Sequence, residues 1–318
     1  MGAVIEEVTL DDLLRSVVEF VLDQGERTLP TKGPALDTWA ASLRLTNPRA
    51  RLSRTEGRGR LFSALGELCW YLSGSNDTDH IAHYIRAYRK CDEAGKVHGG
   101  YGPRLFDADG SGQVDYVIKA LRANPWTRKA VIQLFDRSDV AAPHEDVPCT
   151  CTLQFLIREG RLHLITYMRS NDAWLGLPHD IFCFTMLQEL VAVSTGYPLG
   201  EYQHFVGSLH LYEANFSEAE HFMGEGWQST FHEMAPMPEQ DPWSSIETLL
   251  DLERDIREGA TLTAADVEQL DDYWADLARI LAIHARAAVK DLASIEELRS
   301  QLRTRTFDLF VDDRLERL

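Results

Sequence analysis

Apolar residues recur at three- and four-residue spacing through "TLDDLLRSVVEFVLDQG". Leu13, Leu14, Val17, Val18, Val21 and Leu22 line one face, Thr9 stands where an N-cap belongs, and Gly25 stands where a helix would stop. The same period returns in "RLFSALGELCWYLSG", with Leu61, Leu65, Leu68 and Leu72 in line. It continues after a turn in "SNDTDHIAHYIRAYRKC" and again in "QVDYVIKALRAN", up to Pro125. From Lys129 the pattern changes: "KAVIQLFD", "CTLQFLIREGRLHLITYMRS" and "GEYQHFVGSLHLY" are rich in β-branched and aromatic residues and predict strands, with "REG" as a hairpin turn. Between the second and third strand segments, "PHDIFCFTMLQELVAVSTG" is apolar nearly all round and predicts a buried helix. Residues 26–60, rich in Arg, Pro, Thr and Gly, predict loops and short strands. After Pro242 the pattern predicts acidic helices. Capping boxes are expected at Ser244 with Glu247 and at Thr263 with Asp266, and "VEQLDDYWADLARILAIHARAAVKDL" follows.

These elements predict an α+β fold, a mixed α/β arrangement in which a mixed sheet packs on a central buried helix. Residues 1–240 would form the core, and residues 241–318 an acidic helical C-terminal extension packed on the same domain. A chain of 318 residues that is 44% hydrophobic supports a sizeable core. With 32 basic against 50 acidic residues, a net charge of −18, the overall field opposes a nucleic-acid polymer, so a small nucleotide would need a local basic cluster. No run reaches the ~20 apolar residues of a membrane helix, and "MGAVIEEVTLDDLL" has neither the basic start nor the apolar stretch of a secretory signal, which predicts a cytoplasmic protein without membrane contact. Glu6 stands where a myristoylation motif wants Ser or Thr. Five cysteines (Cys69, Cys91, Cys149, Cys151 and Cys183) suit reduced thiols rather than a disulfide framework.

Two of those cysteines fall in "DVPCTCTLQF", and on a strand residues two apart share a face. A metal pair would need further ligands at suitable spacing, and no second Cys pair supplies them, so no metal is expected. Small apolar filling is the ordinary role of Cys151 on a strand and of Cys183 in the buried helix. Cys149 differs, because Pro148 places it at the strand entry, where a side chain can face a cleft. Downstream, "YMRSNDAWLGLPHDIFCF" offers Arg169 and Ser170, a phosphate-binding pair in type, then Asp172, and then Asp180 in the first turn of the apolar helix, where the macrodipole favours an acid.

Together, "PCTCTLQF", "RSND..LGLPHDI", "LHLYEAN", "GELCWYL" and "GGYGPR" resemble the thymidylate synthase family in type, order and spacing, over roughly residues 55–225. The resemblance implies a thymidylate synthase-like fold and makes Cys149 a nucleophile that adds to C6 of a pyrimidine. C5 then captures a one-carbon unit from 5,10-methylenetetrahydrofolate. It implies that Arg169 and Ser170 hold the nucleotide phosphate. It also implies a homodimer in which Arg128 and Lys129 reach the partner's phosphate, with Lys129 replacing a second arginine and losing bidentate geometry. His210 and Tyr212 match the pair on the sugar 3′-hydroxyl, Glu67 a proton-handling glutamate, and Tyr101 a tyrosine that assists at C5. Asp172 and Gly176 fall in the folate-binding segment, and Arg27 is the candidate N-terminal phosphate ligand.

The chain departs from thymidylate synthases at Asp180, where they have Asn, and at His179, where they have an aromatic residue. An amide pairs with uracil, whereas a carboxylate accepts from both N4 and a protonated N3 of cytosine, and a mismatched buried edge costs roughly 1–3 kcal/mol or more. Asp180 therefore resembles the cytidylate (CMP or dCMP) hydroxymethylase branch, and the composition is similar to the CMP hydroxymethylases of mildiomycin-type nucleoside-antibiotic pathways. In place of a short apolar tail the chain ends in "FDLFVDDRLERL", which favours water as the second nucleophile and a hydroxymethyl product. A thymidylate synthase acting on dUMP and a non-catalytic nucleotide-binding protein are the alternatives.

Overall fold

The structure is a computed structural model that describes residues 2–55, 60–106, 112–226 and 232–318. Strand β1 (Val4–Glu7) leads into helix α1 (Leu10–Gln24), whose cap forms as its sequence predicts, with Thr9 Oγ1 accepting from Asp12 N at 3.1 Å. Strands β2 (Glu26–Thr28) and β3 (Ala35–Leu45) follow, then α2 (Leu61–Leu72) and α3 (Thr78–Tyr84). A two-strand ribbon, β4 (Asp92–Glu93) with β5 (Lys96–Val97), precedes α4 (Gly102–Leu105) and α5 (Gln113–Ala123). The chain continues through β6 (Val131–Gln133), β7 (Thr150–Arg158), β8 (Arg161–Asp172), α6 (Leu177–Thr195) and β9 (Leu199–Tyr212), and then α7 (Phe216–Gly224).

Among the described residues one mixed sheet runs in the order β1–β3–β9–β8–β7–β6, with β2 paired to the start of β3. The β1–β3 and β8–β9 pairs are parallel and the others antiparallel. Glu159 and Gly160, at φ 52° and 70°, make the two-residue turn of the β7–β8 hairpin. Helix α6 is buried on nearly every side, between the sheet and helices α2, α5 and α8 (Pro242–Arg257), which is why its sequence carries no polar stripe. The expected α+β architecture, a mixed sheet on a central buried helix, is the one observed.

Four expectations need correction. Residues 35–45 form an eleven-residue strand rather than loops and short strands; the alternation of buried positions slips by one at Ala40, which has φ 58°, so the two-residue period is broken. The helix after residue 78 ends at Tyr84 and gives way to a 3₁₀ turn over Arg86–Cys91. Helix α8 starts at Pro242, which suits a first helical position, so Ser244 lies inside the first turn and the Ser244–Glu247 box does not form. Thr263 does bond Asp266, but the pair closes only a 3₁₀ turn; the long helix expected after it is instead α9 (Asp272–Ala288) followed by α10 (Leu292–Ser300). The chain ends with α11 (Asp308–Glu316), whose Phe310 lines a small cavity together with Leu61 and Pro178 and whose Arg314 guanidinium carbon lies 4.6 Å from the Phe62 ring centre. Helices α8 and α9 also pack on α2.

A buried ion cluster ties α6 to the segment before α2. Glu189 accepts from Arg49 Nε at 2.7 Å, from Met237 N at 3.1 Å and from Arg51 Nη2, and both Glu189 and Arg51 are essentially inaccessible. Burial alone would raise the Glu189 carboxyl, but Arg51 and Arg49 hold it below the ordinary carboxylate range. Removing one member strands the other charge. Glu189→Ala is expected to cost about 3–5 kcal/mol in urea unfolding, because Arg51 is left buried without its partner.

Candidate active site

Cys149 ends the loop that enters β7, and it is seated by its neighbour on β8. Arg169 N donates to Cys149 O at 2.9 Å. Its guanidinium donates to Pro148 O at 3.0 Å and to Val147 O at 3.2 Å, and lies 3.8 Å from Cys149 Sγ. Burial pushes the thiol up to about 11, with the carboxyls of Asp180 and Asp146 adding to the rise while Arg169 and Lys32 oppose it. A β-bulge follows at once, since Thr150 pairs Met168 and Thr152 pairs Tyr167. The alternation that would put Cys149 and Cys151 on a common face is therefore interrupted at Cys151, whose carbonyl accepts from Leu134 N and Phe135 N.

"GGYG" threads Tyr101 into contact with this loop. A Cβ on Gly102 would fall 2.3 Å from Ser75 O and 2.7 Å from Ser75 N, both backbone atoms, so only glycine lets the segment pass there. The Tyr101 hydroxyl accepts from Thr150 N at 3.1 Å, one residue from the thiol. Burial raises the phenol well above its usual range, and the charges of Asp180 and Cys149 raise it further.

Two carboxyls close the other side. Glu67 on α2 is 5% exposed and accepts from Tyr88 at 2.7 Å and from Tyr71, one helical turn on, at 3.1 Å. Burial raises it against the pull of both phenols. Asp180 lies in the first turn of α6, where Asn171 Nδ2 donates to its Oδ2 at 2.8 Å. Burial, and then the field of Glu67, raise Asp180 well above the carboxylate range, with Asn171 opposing.

The remaining predicted residues divide. Asp172 pairs His210 across β8 and β9, and the His210 ring meets Tyr212 edge-on at 4.9 Å. Ser170 pairs Ser208 on the same two strands. Arg27 reaches the same end of the sheet, pairing Leu36 next to Leu211 and lying 3.9 Å from Glu213. Asp172 Oδ1 accepts from Trp174 N at 2.8 Å and Leu175 N at 2.9 Å. A Cβ on Gly176 would crowd Asn171 Nδ2 at 3.1 Å and Asp180 Oδ2 at 3.4 Å. Arg128 and Lys129 are not brought to the thiol: both are exposed before β6, beyond Ala130, which pairs Phe155, on the order of 20 Å along β7 from Cys149. His179 is tied down, with Nε2 2.9 Å from Ser63 Oγ and Nδ1 3.2 Å from Leu175 O.

With a thiol, a phenol and two protonatable carboxyls converging at the ends of β7, β8 and α6, comparison with known proteins becomes decisive. Residues 13–242 match the family model described as thymidylate synthase. The chain belongs to the thymidylate synthase family. It is accordingly a one-carbon transferase, in a family that binds nucleotide and folate and is typically dimeric. A solved structure, the thermostable thymidylate synthase A from Bacillus subtilis, matches with a TM-score of 0.57 and 25% identity, covering 70% of this chain and 86% of that one.

Several residues around the thymidylate synthase-like site are not singled out by sequence reasoning. Lys32 and Asp146 act on Cys149 through their charges, and both lie in loops without a period to flag them. Arg60 approaches Asp172 from the start of α2. Tyr71 was detectable in principle, four residues from Glu67 on a predicted helix. Among the described residues, Glu93, His98 and His144 bring possible metal-ligand atoms within 4.8 Å of one another. Their rings stack at 3.4 Å and 4°, so the lone pairs lie in parallel planes instead of converging, and each imidazole already pairs a carboxylate, His144 with Glu93 and His98 with Asp139.

Because the thiolate is the reactive form, carbamidomethylation of Cys149 in the free protein, followed by peptide mass spectrometry, should accelerate with pH up to about 11. Arg169→Met removes the nearest positive charge, disfavours the thiolate and should move that midpoint upward; a midpoint near the ordinary ~8.5 would contradict the burial of the thiol.

Proposed function

We propose that this thymidylate synthase-family enzyme is a cytidylate 5-hydroxymethyltransferase. The observation that carries the reading is Asp180: a half-buried carboxyl, held on Oδ2 by an amide donor, acts electrostatically on Cys149 and Tyr101. A protonated Asp180 donates to N3 of cytosine and accepts from the 4-amino group. As Cys149 adds to C6, that proton passes to N3 and leaves a carboxylate accepting from both positions. Retaining the proton before the substrate binds also spares the Cys149 thiolate a neighbouring negative charge.

Cys149 forms the bond to C6 and raises electron density at C5. Methylenetetrahydrofolate supplies the one-carbon unit, and Asp172 Oδ2, on the segment that Gly176 lets pack closely against Asn171 and Asp180, suits its pterin. Tyr101 assists loss of the C5 proton, and Glu67, kept protonatable by its burial, moves protons through water. Loss of the C5 proton expels the folate nitrogen and leaves an exocyclic methylene; water adds to it, the Cys149–C6 bond breaks, and 5-hydroxymethyl-CMP, or its deoxy counterpart, leaves with tetrahydrofolate unoxidised. Arg169, Ser170 and Arg27 bind phosphate, and His210 with Tyr212 binds the sugar. The distance of Arg128 and Lys129 from Cys149 supports their donation to a second copy. The sheet face carrying the paired and exposed Tyr167 and Phe205, with Trp39 at 68% exposure, supports the homodimer that this requires. A reactive thiol used with folate suits a reducing, cytoplasmic setting, and the cytosine preference suits nucleotide or nucleoside-antibiotic biosynthesis.

Mass spectrometry of products from CMP, dCMP and dUMP in competition, with methylenetetrahydrofolate, tests the reading. A hydroxymethylated cytidine nucleotide is expected; methylated dUMP alone would assign the chain to thymidylate synthesis. Asp180→Asn places a donor against the 4-amino group and should lower cytosine turnover roughly 5–150-fold while improving that of the uracil nucleotide.

A further inference from the structure

Asp180 is one end of a buried hydrogen-bond chain that the chemistry above does not use. Asn171 Nδ2 donates to Asp180 Oδ2 at 2.8 Å, Asn171 Oδ1 lies 3.0 Å from His204 Nε2, and His204 Nδ1 lies 2.6 Å from the Tyr202 hydroxyl. Tyr202 and His204, both from β9, are fully buried, and Asn171 on β8 is 4% exposed.

The chain reads in one direction. Burial keeps the Tyr202 phenol protonated, and burial pushes His204 down to about 3, so its imidazole is neutral and carries a single N–H. The Thr166 hydroxyl also meets the Tyr202 oxygen; with Thr166 donating there, Tyr202 gives its proton to Nδ1, which puts the imidazole hydrogen on Nε2. That hydrogen needs an acceptor and finds the Asn171 carbonyl oxygen, so the amide nitrogen must face Asp180.

We propose that Tyr202 and His204 are positioning residues that lock the Asn171 amide, so that Asp180 Oδ2 can only accept and any proton on Asp180 is confined to Oδ1. The inference rests on the reading of Asp180 as the group that recognises the base. An unheld amide can turn over and a free acid can carry its proton on either oxygen, so an unlocked pair presents either donor–acceptor order to a ligand. Cytosine and uracil differ in that order: N3 accepts beside a 4-amino donor in one, and N3–H donates beside an O4 acceptor in the other. A locked carboxyl serves one edge, and an unlocked carboxyl serves both. Asp180 thus supplies the contact, and the buried chain supplies the discrimination.

The test compares kcat/KM for the cytidine nucleotide with that for the uridine nucleotide of the same sugar. Turnover is followed by tritium release from C5 in the presence of methylenetetrahydrofolate. In His204→Phe the cytosine-to-uracil ratio should fall at least tenfold, and His204→Gln, which keeps a side-chain N–H near the Nε2 position, should restore most of it. A purely structural role would lower both rates together and leave the ratio intact. Tyr202→Phe removes only a hydroxyl and should shift the ratio the same way by a smaller factor; it decides the matter if His204→Phe does not fold. A ratio unchanged within twofold in the folded variants, beside a wild type that prefers cytosine, overturns the lock. A wild type that turns over only the uridine nucleotide overturns the reading of Asp180, and the lock with it.

Discussion

Burial of carboxyl groups against α6 and α2 is the constraint on which the site depends. Three acids lie in this layer, and the partner each receives decides its protonation. Glu189 meets two arginines and is held ionised, which makes it a structural anchor. Glu67 meets two phenols and Asp180 meets an amide, neutral donors that satisfy lone pairs without stabilising a full charge, so burial prevails and both are raised. The same low-dielectric layer thus yields a brace in one place and two groups able to give and take protons in another.

The sheet converts this layer into a site by bringing strand ends together. Parallel pairing of β8 with β9 aligns Ser170, Asn171 and Asp172 with Ser208, Leu209 and His210, while the antiparallel β7–β8 hairpin returns Arg169 to the loop that carries Cys149. The bulge at Cys151 breaks the alternation just where the strand meets the cleft. The glycines around Tyr101 and Gly176 are the clearances that let the α4 and α6 segments approach closely enough to complete the arrangement.

Much of this was legible in the linear pattern. The helical period of α1 and α2, the all-round apolarity of α6 and the β-branched runs of β7 to β9 each follow from burial on one face or on both, so they survive as local signals. Motif spacing placed Cys149, Arg169, Asp172 and Asp180 near one another, because a hairpin and a short turn separate them. The β3 strand carries no clean two-residue period because its alternation slips at Ala40, and the Ser244–Glu247 box does not form because Pro242, two residues earlier, is the better helix start.

The sequence by itself determined the types of α1, α2, α6 and β7 to β9, the burial of the central helix and the chemical identity of the groups at the site, all of which depend on residue type and short-range periodicity. Only the tertiary structure decided how those groups are tuned. The Tyr88 phenol on Glu67, the charge of Lys32 on Cys149 and the Asn171–His204 bond behind Asp180 join residues about 20 to 120 positions apart. Desolvation and hydrogen-bond direction depend on what surrounds an atom in space, and no local period records that.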